Sequence, residues 1–295
     1  MLQHKSIPIQ KVTFPDSDIS NVSVLRLDAI DLHLGGNKFF KLLFNIDALK
    51  KENHQTIITF GGSFSNHLAA FASLKSQFSE KRFIAIVRGD DSMVEKSITL
   101  TRLRKLGVEI NFVHSQLYRE LCENFNHEFF NQFENQLILP EGGSNQLAVK
   151  GCQTITDYIP ATFNHLVLPI ATGATMAGII SGGNSSQAIH GIAVLKAIDY
   201  LQNNLEQFLT NSSPNKIFSN YKIHDSYHHG GYAKVPENLM QFVSDFNQLN
   251  DFKIEPIYTG KMFWAIYDMI TTGTFSSEDN LLAIHTGGLQ YLHAD

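Results

Sequence analysis

A chain of 295 residues, 43% apolar and 17% charged, is long enough for one large or two interlocked globular units, and its composition excludes a disordered or low-complexity protein. The 23 basic and 28 acidic residues give a net charge of −5 with no basic stripe, which argues against nucleic acid as a partner. No apolar run approaches the roughly 18 residues that span a bilayer, and the start MLQHKSIPIQKVTFP has no signal-type apolar core, so no membrane partner and a cytoplasmic location are expected.

The first informative segment is DLHLGGNKFFKLLFNIDALK, where Gly35, Gly36 and Asn37 precede Lys38 and a helical pattern of Phe39, Leu42, Leu43 and Ile46. From Gln55 a rhythm sets in of a short apolar run, a Gly or Ser turn and an amphipathic stretch. TIITFGG precedes SNHLAAFASLKSQF, RFIAIVRG precedes VEKSITLTRLRKLG, VEINFV precedes SQLYRELCENFNHEFF, and QLILPEGG precedes NQLAVKGCQTITDYI. HLVLPIATG then opens another unit. Continuous apolar strands separated by helices predict parallel sheets covered on both faces, an α/β architecture. Asn211 to Tyr232, with its Ser/Pro/Asn cluster and HHGGY, reads as irregular structure and a candidate lid. No clean linker divides the chain, so a second unit is expected to be inserted into the first. Trp264 with Phe263, Ile266 and Met269 reads as a helical core stripe, and His285 as a packed histidine.

Cys122 and Cys152 lack a second thiol at CxxC spacing and read as structural thiols. There is no HExxH, and adjacent His228 and His229 point apart on any regular element, so no metal site is expected.

Three strand-to-helix turns carry chemistry. Glycines beside Lys38 let a planar ligand approach the backbone, and a desolvated lysine there has a neutral amine able to attack an aldehyde. After HLVLPI, the turn Ala171, Thr172, Gly173, Ala174 and Thr175 aims successive N–H groups at one point and suits an anion, although it lacks both GxGxxG and GK[ST]. In FGGSFSNHLAA, Ser65, Asn66 and His67 occupy a helix start where free N–H groups suit a substrate carboxylate; Ser65 also fits a plain N-cap.

Taken in order, GGNK, GGSFSNH, PEGGSN, ATGAT, EPIYTGK and IHTGG resemble the 1-aminocyclopropane-1-carboxylate deaminase and D-cysteine desulfhydrase family over almost the whole chain. The resemblance implies a pyridoxal 5'-phosphate cofactor and the tryptophan-synthase-β-like fold type II, two parallel-sheet α/β domains with the smaller inserted in the larger. The implied division is a cofactor domain of residues 1–44 and 156–295 and an inserted domain of 45–155. It further implies Lys38 as the cofactor-linked lysine, Asn66 beside the ring's phenolic oxygen, Ser65 as an active-site serine, residues 171–175 as the phosphate loop, Tyr232 and Tyr258 as active-site tyrosines, and Thr286 near the pyridine nitrogen. A homodimer is implied as well. Ring-opening members of the family carry Glu and Leu where this chain has Thr259 and Thr286, and D-cysteine desulfhydrases carry small hydroxyl residues there. A threonine serves a less basic ring and a weaker electron sink, which suits loss of a good leaving group better than cleavage of a carbon–carbon bond. Phe40 in place of the family's arginine and Ala233 after Tyr232 depart from the pattern and bear on substrate choice and lid geometry.

The expected reaction is α,β-elimination from a small D-amino acid, with D-cysteine giving pyruvate, ammonia and hydrogen sulfide. Lys38 is the expected base, residues 65–67 the carboxylate site, and Tyr232 or Tyr258 the group that orients the thiolate or handles protons. The alternatives are 1-aminocyclopropane-1-carboxylate deamination, elimination from D-serine or a β-chloro analogue, and a protein that binds the cofactor without catalysis.

Overall fold

The computed structural model of the chain describes residues 6–30 and 35–288. In chain order its regular elements are β1 (Ile9–Lys11), β2 (Val22–Arg26), α1 (Asn37–Lys51), β3 (Thr56–Gly61), α2 (Asn66–Lys75), β4 (Arg82–Arg88), α3 (Ile98–Lys105), β5 (Glu109–Val113), α4 (Ser115–Glu123), β6 (Gln136–Leu139), α5 (Gln146–Gln153), β7 (His165–Ile170), α6 (Ala174–Gly182), β8 (Ala188–Ala193), α7 (Ile198–Ser212), β9 (Tyr221–His224), α8 (Glu237–Leu249), α9 (Thr259–Thr271) and β10 (Leu281–His285).

The strands form two sheets. A six-stranded sheet has the order β1-β2-β10-β7-β8-β9 and draws on both ends of the chain; a four-stranded sheet has the order β5-β4-β3-β6 and uses only the stretch between. Every pairing is parallel except β1 with β2. Helices cover both faces, which is why the strands are apolar at consecutive positions. In β7, Leu166 and Leu168 face one core while Val167 faces the other, and in β3, Ile57 and Ile58 divide between two cores in the same way.

The stretch expected to be irregular contains β9, whose register runs from Ile189 opposite Tyr221 to Ile192 opposite His224. As an edge strand it pairs on one side only, and Lys222 faces solvent, so YKIH never shows the apolar run by which the central strands declare themselves. Phe263, Ile266 and Met269 are buried on α9, with Trp264 half-buried against Phe242. Among the described residues, no helix is long and apolar enough to cross a membrane.

Candidate active site

In parallel α/β sheets the carboxyl ends of the strands and the following helix starts converge on one crevice. Here the ends of β7 and β10 and the starts of α1, α2 and α9 line an open cleft with about 430 Å³ of empty space, part of it bulk solvent. Lys38, Asn66, Ala171, Thr172, Gly173, Thr175, Tyr258 and Thr286 share its wall, together with Asn37 and Lys41.

Lys38 owes its position to Gly36. With φ at 65°, Gly36 turns the chain into α1 directly against the backbone after β10, and a Cβ there would stand 1.9 Å from the Thr286 carbonyl oxygen. The Asn37 N–H donates to that same oxygen at 3.1 Å. The Asn37 side chain fixes the next two contacts: its Nδ2 donates to Thr175 Oγ1 at 2.8 Å, and its Oδ1 accepts from Lys38 Nζ at 3.0 Å. That acceptor is a neutral amide, and no carboxylate pairs with Lys38 among the described residues. Burial, aided by the neighbouring Lys41 cation and opposed by Cys152, draws the Lys38 amine down from 10.5 to about 7.

Lys41 completes the site, and the sequence reading passed over it. Its buried Nζ donates to the Gly142 carbonyl at 3.0 Å, Ser144 Oγ at 2.8 Å and Thr172 Oγ1 at 3.1 Å. One ammonium thereby ties α1 both to the PEGGSN turn and to the 171–173 loop, beside the start of α6. The Lys41 ammonium, the Lys38 amine and a helix start meet with no carboxylate among the described residues that line the cleft, which is the electrostatics of an anion site. The available signal was spacing, since positions three apart on a helix share a face.

The remaining predicted residues lie as follows. Ala174 is buried in the first turn of α6. Ser65 caps α2, its Oγ accepting from the Leu68 N–H at 3.4 Å. His67 turns into the core: its Nε2 meets Thr59 Oγ1 at 2.7 Å, that hydroxyl donates to the Leu139 carbonyl, and the buried Nδ1 has no partner among the described residues. Burial and the two lysines hold His67 well below its usual range, so it is neutral. Tyr232 lies beside Tyr258, with ring centroids 6.0 Å apart and hydroxyls at 3.4 Å. Thr259 is fully buried and outside the cleft wall, its hydroxyl engaged with Glu255.

Glu255 is a second residue missed. Its carboxylate accepts from the N–H groups of Ile257, Tyr258 and Thr259 and from the Thr259 hydroxyl, so both oxygens are committed to the start of α9, where they set the position of Tyr258. His285 is wholly buried between the Lys253 carbonyl and Asp28. The Cys152 thiol is pushed up to about 11 and Cys122 to about 12, in both chiefly by burial, so neither is a ready nucleophile.

The lowered Lys38 value has a measurable consequence. A lysine at 10.5 is almost wholly protonated at pH 8, whereas one at about 7 is roughly nine-tenths neutral. Capture of an aromatic aldehyde by Lys38 is therefore expected to accelerate through pH 7 and level off by pH 8 to 9, as followed by stopped-flow absorbance. A rate still climbing tenfold per unit at pH 9 would assign the reaction to an ordinary surface lysine.

No protein-family model matches the chain. It is 28% identical over 290 residues to a protein of Thermotoga maritima named "Putative 1-aminocyclopropane-1-carboxylate deaminase", covering 93% of this chain and 90% of that one. It is 26% identical over 295 residues to "D-cysteine desulfhydrase" of Klebsiella pneumoniae, covering 92% and 88%. A solved structure described as an ACC deaminase homologue superposes with a TM-score of 0.80 at 24% identity, over 98% of this chain and 91% of that one. The chain is a homologue of proteins bearing these two names, and its fold is that of the pyridoxal-phosphate enzymes of fold type II.

Proposed function

We propose that this relative of the 1-aminocyclopropane-1-carboxylate deaminase and D-cysteine desulfhydrase proteins is a pyridoxal-phosphate-dependent lyase acting on small D-amino acids, with D-cysteine as its substrate. Water is consumed, and pyruvate, ammonia and hydrogen sulfide are released. One observation carries the reading: an amine brought near neutrality by burial faces a cleft whose wall is also an anion cradle.

The residues present fit the cofactor. Lys38 supplies the amine for its aldehyde. Lys41, Thr172 and the N–H groups opening α6 supply a cation and donors for its phosphate, and Gly173, with φ at 90°, keeps the turn free of a side chain. Asn66 and Thr286 offer polar groups to the ring. Once bound, the cofactor supplies a conjugated electron sink for the charge left at the substrate's α-carbon. The chain does the rest. Lys38 removes the α-proton, the start of α2 at Ser65 and Asn66 holds the substrate carboxylate, and the Tyr232–Tyr258 hydroxyl pair hands a proton to the departing thiolate. The two sheets support a larger cofactor domain of residues 1–44 and 156–295 with residues 45–155 inserted, although α1 itself runs across that junction. A homodimer, read from the resemblance, is checked by light scattering.

The choice of substrate rests on what surrounds the ring. No carboxylate is among the described residues lining the cleft, Thr286 supplies a hydroxyl there, and Glu255 is occupied in holding α9. That environment favours expulsion of a good leaving group over rupture of a carbon–carbon bond. The test measures sulfide and pyruvate from D- and L-cysteine beside ammonia release from 1-aminocyclopropane-1-carboxylate, D-serine and β-chloro-D-alanine. Fastest turnover of D-cysteine is expected; faster cyclopropane opening, or a coloured protein that releases nothing from any of them, would overturn the reading.

Lys41→Met is expected to weaken cofactor retention about 10- to 100-fold, through loss of the cation beside the phosphate and of its hold on Thr172 in the loop, with the fold intact. Titration of the apoprotein with pyridoxal phosphate measures this, and an unchanged affinity would remove Lys41 from the phosphate site.

A further inference from the structure

Tyr232 stands on a turn that the backbone does not readily adopt. His229, Gly230, Gly231 and Ala233 have φ of 52°, 93°, 124° and 56°, and two of these four are not glycine. Tyr232 itself is 37% exposed, its ring packed edge-on against Tyr258. Inside the turn the Gly231 N–H donates to the His228 carbonyl at 3.0 Å and the Lys234 N–H to the Gly231 carbonyl at 3.2 Å, but tying the turn to α9 takes a bond from outside it.

Lys261 supplies one. Its side chain is fully buried in the first turn of α9, and its Nζ donates to the carbonyls of Gly231 at 2.8 Å and His228 at 2.9 Å, with the Val194 carbonyl at 3.5 Å. No carboxylate lies within ion-pair distance of it among the described residues. Burying an ammonium against carbonyls alone is costly. Burial draws its pKa down to about 8 against the opposing pull of Glu255. Its two shortest contacts, to Gly231 and His228, flank His229 and Gly230, two of the positive-φ residues, and Gly231 immediately precedes Tyr232. Tyr258 is the N-cap of α9, three residues before Lys261, so the element that presents one tyrosine grips the loop that presents the other.

We propose that Lys261 is a positioning residue that fixes Tyr232 against Tyr258 by clamping the 228–231 turn onto the start of α9. The clamp acts through Tyr232 and does not itself touch substrate; its catalytic consequence rests on the reading of the two tyrosines given above.

Lys261→Met removes the donors at similar volume, and Lys261→Gln keeps two. In the cofactor-loaded protein, amide hydrogen exchange over residues 228–234 is expected to quicken at least tenfold in the methionine variant and less in the glutamine variant, with the core of α9 and β10 unchanged. With D-cysteine, kcat is expected to fall about tenfold at nearly constant KM, and that loss is expected to vanish in a Tyr232→Phe background. Parental exchange in this segment, a uniform rise across α9 and β10, or an equal loss of kcat with and without Tyr232→Phe would each overturn the clamp. If Lys261→Met does not fold, Lys261→Gln against the parent carries the same comparison. If the parent turns over no amino acid, the proposed elimination fails, while the exchange comparison still decides the clamp.

Discussion

Replacing Lys38 with alanine is expected to lower turnover of D-cysteine by at least about 1000-fold, because one amine serves both as the attachment point for the cofactor and as the base at the α-carbon. Stability is expected to hold or rise. In the folded protein the Lys38 amine is buried with a neutral amide as its hydrogen-bond acceptor and a second lysine nearby, so charging it is unfavourable. Linkage gives the sign: its folded value of about 7 lies below the unfolded 10.5, so the unfolded chain binds more protons between them, and the apoprotein's stability rises with pH across that window. Lys38→Ala removes the lysine's share of that slope. Thermal melts of both apoproteins between pH 7 and 10 check this beside the turnover assay. Retained turnover would contradict the role of Lys38, and a variant that fails to fold would contradict the account of its burial.

Gly36→Ala is expected to be the most destabilising single change near the site, costing about 3 kcal/mol or more, together with loss of cofactor binding. The added Cβ would stand 1.9 Å from the Thr286 carbonyl oxygen, on a residue whose φ of 65° already disfavours a side chain. Backbone lies on both sides of the clash, so relief requires moving the start of α1 and Lys38 with it. Gly273→Ala is the matched control: φ is 78°, yet no atom of the described residues lies within 4 Å of its Cβ position, so only the conformational cost of about 1 to 2 kcal/mol applies. Denaturant unfolding of the two variants separates clash from conformation, and equal losses would contradict the packing argument.

The fold was legible where burial acts on both faces of an element. β3, β4 and β7 are central strands in their sheets, so runs such as TIITF, FIAIV and LVLPI stand out in the sequence. β9 pairs on one side only and had no such run to show. In the candidate site, Lys38, Asn66 and the 171–175 turn could be singled out because glycine turns and helix starts are local patterns, although Lys38 is finally placed by Thr175 and Thr286 far along the chain. Lys41 was not, because its meaning comes from Gly142, Ser144 and Thr172, all about a hundred residues or more away in the chain. Local pattern likewise marks Thr259 as part of the YTGK motif but says nothing of Glu255, four residues earlier, toward which its hydroxyl turns. Lys261 closes the same motif and gives no sign in sequence that its ammonium reaches back 30 residues to a carbonyl of another loop.

The most direct measurement loads the protein with pyridoxal phosphate, reduces it with borohydride to lock the pyridoxyl group onto whichever amine holds it, and maps the modified peptide by mass spectrometry. The account predicts a single stoichiometric label on Lys38, lost in Lys38→Ala. A label on Lys41 or scattered over surface lysines, or no label on a folded protein, would contradict it.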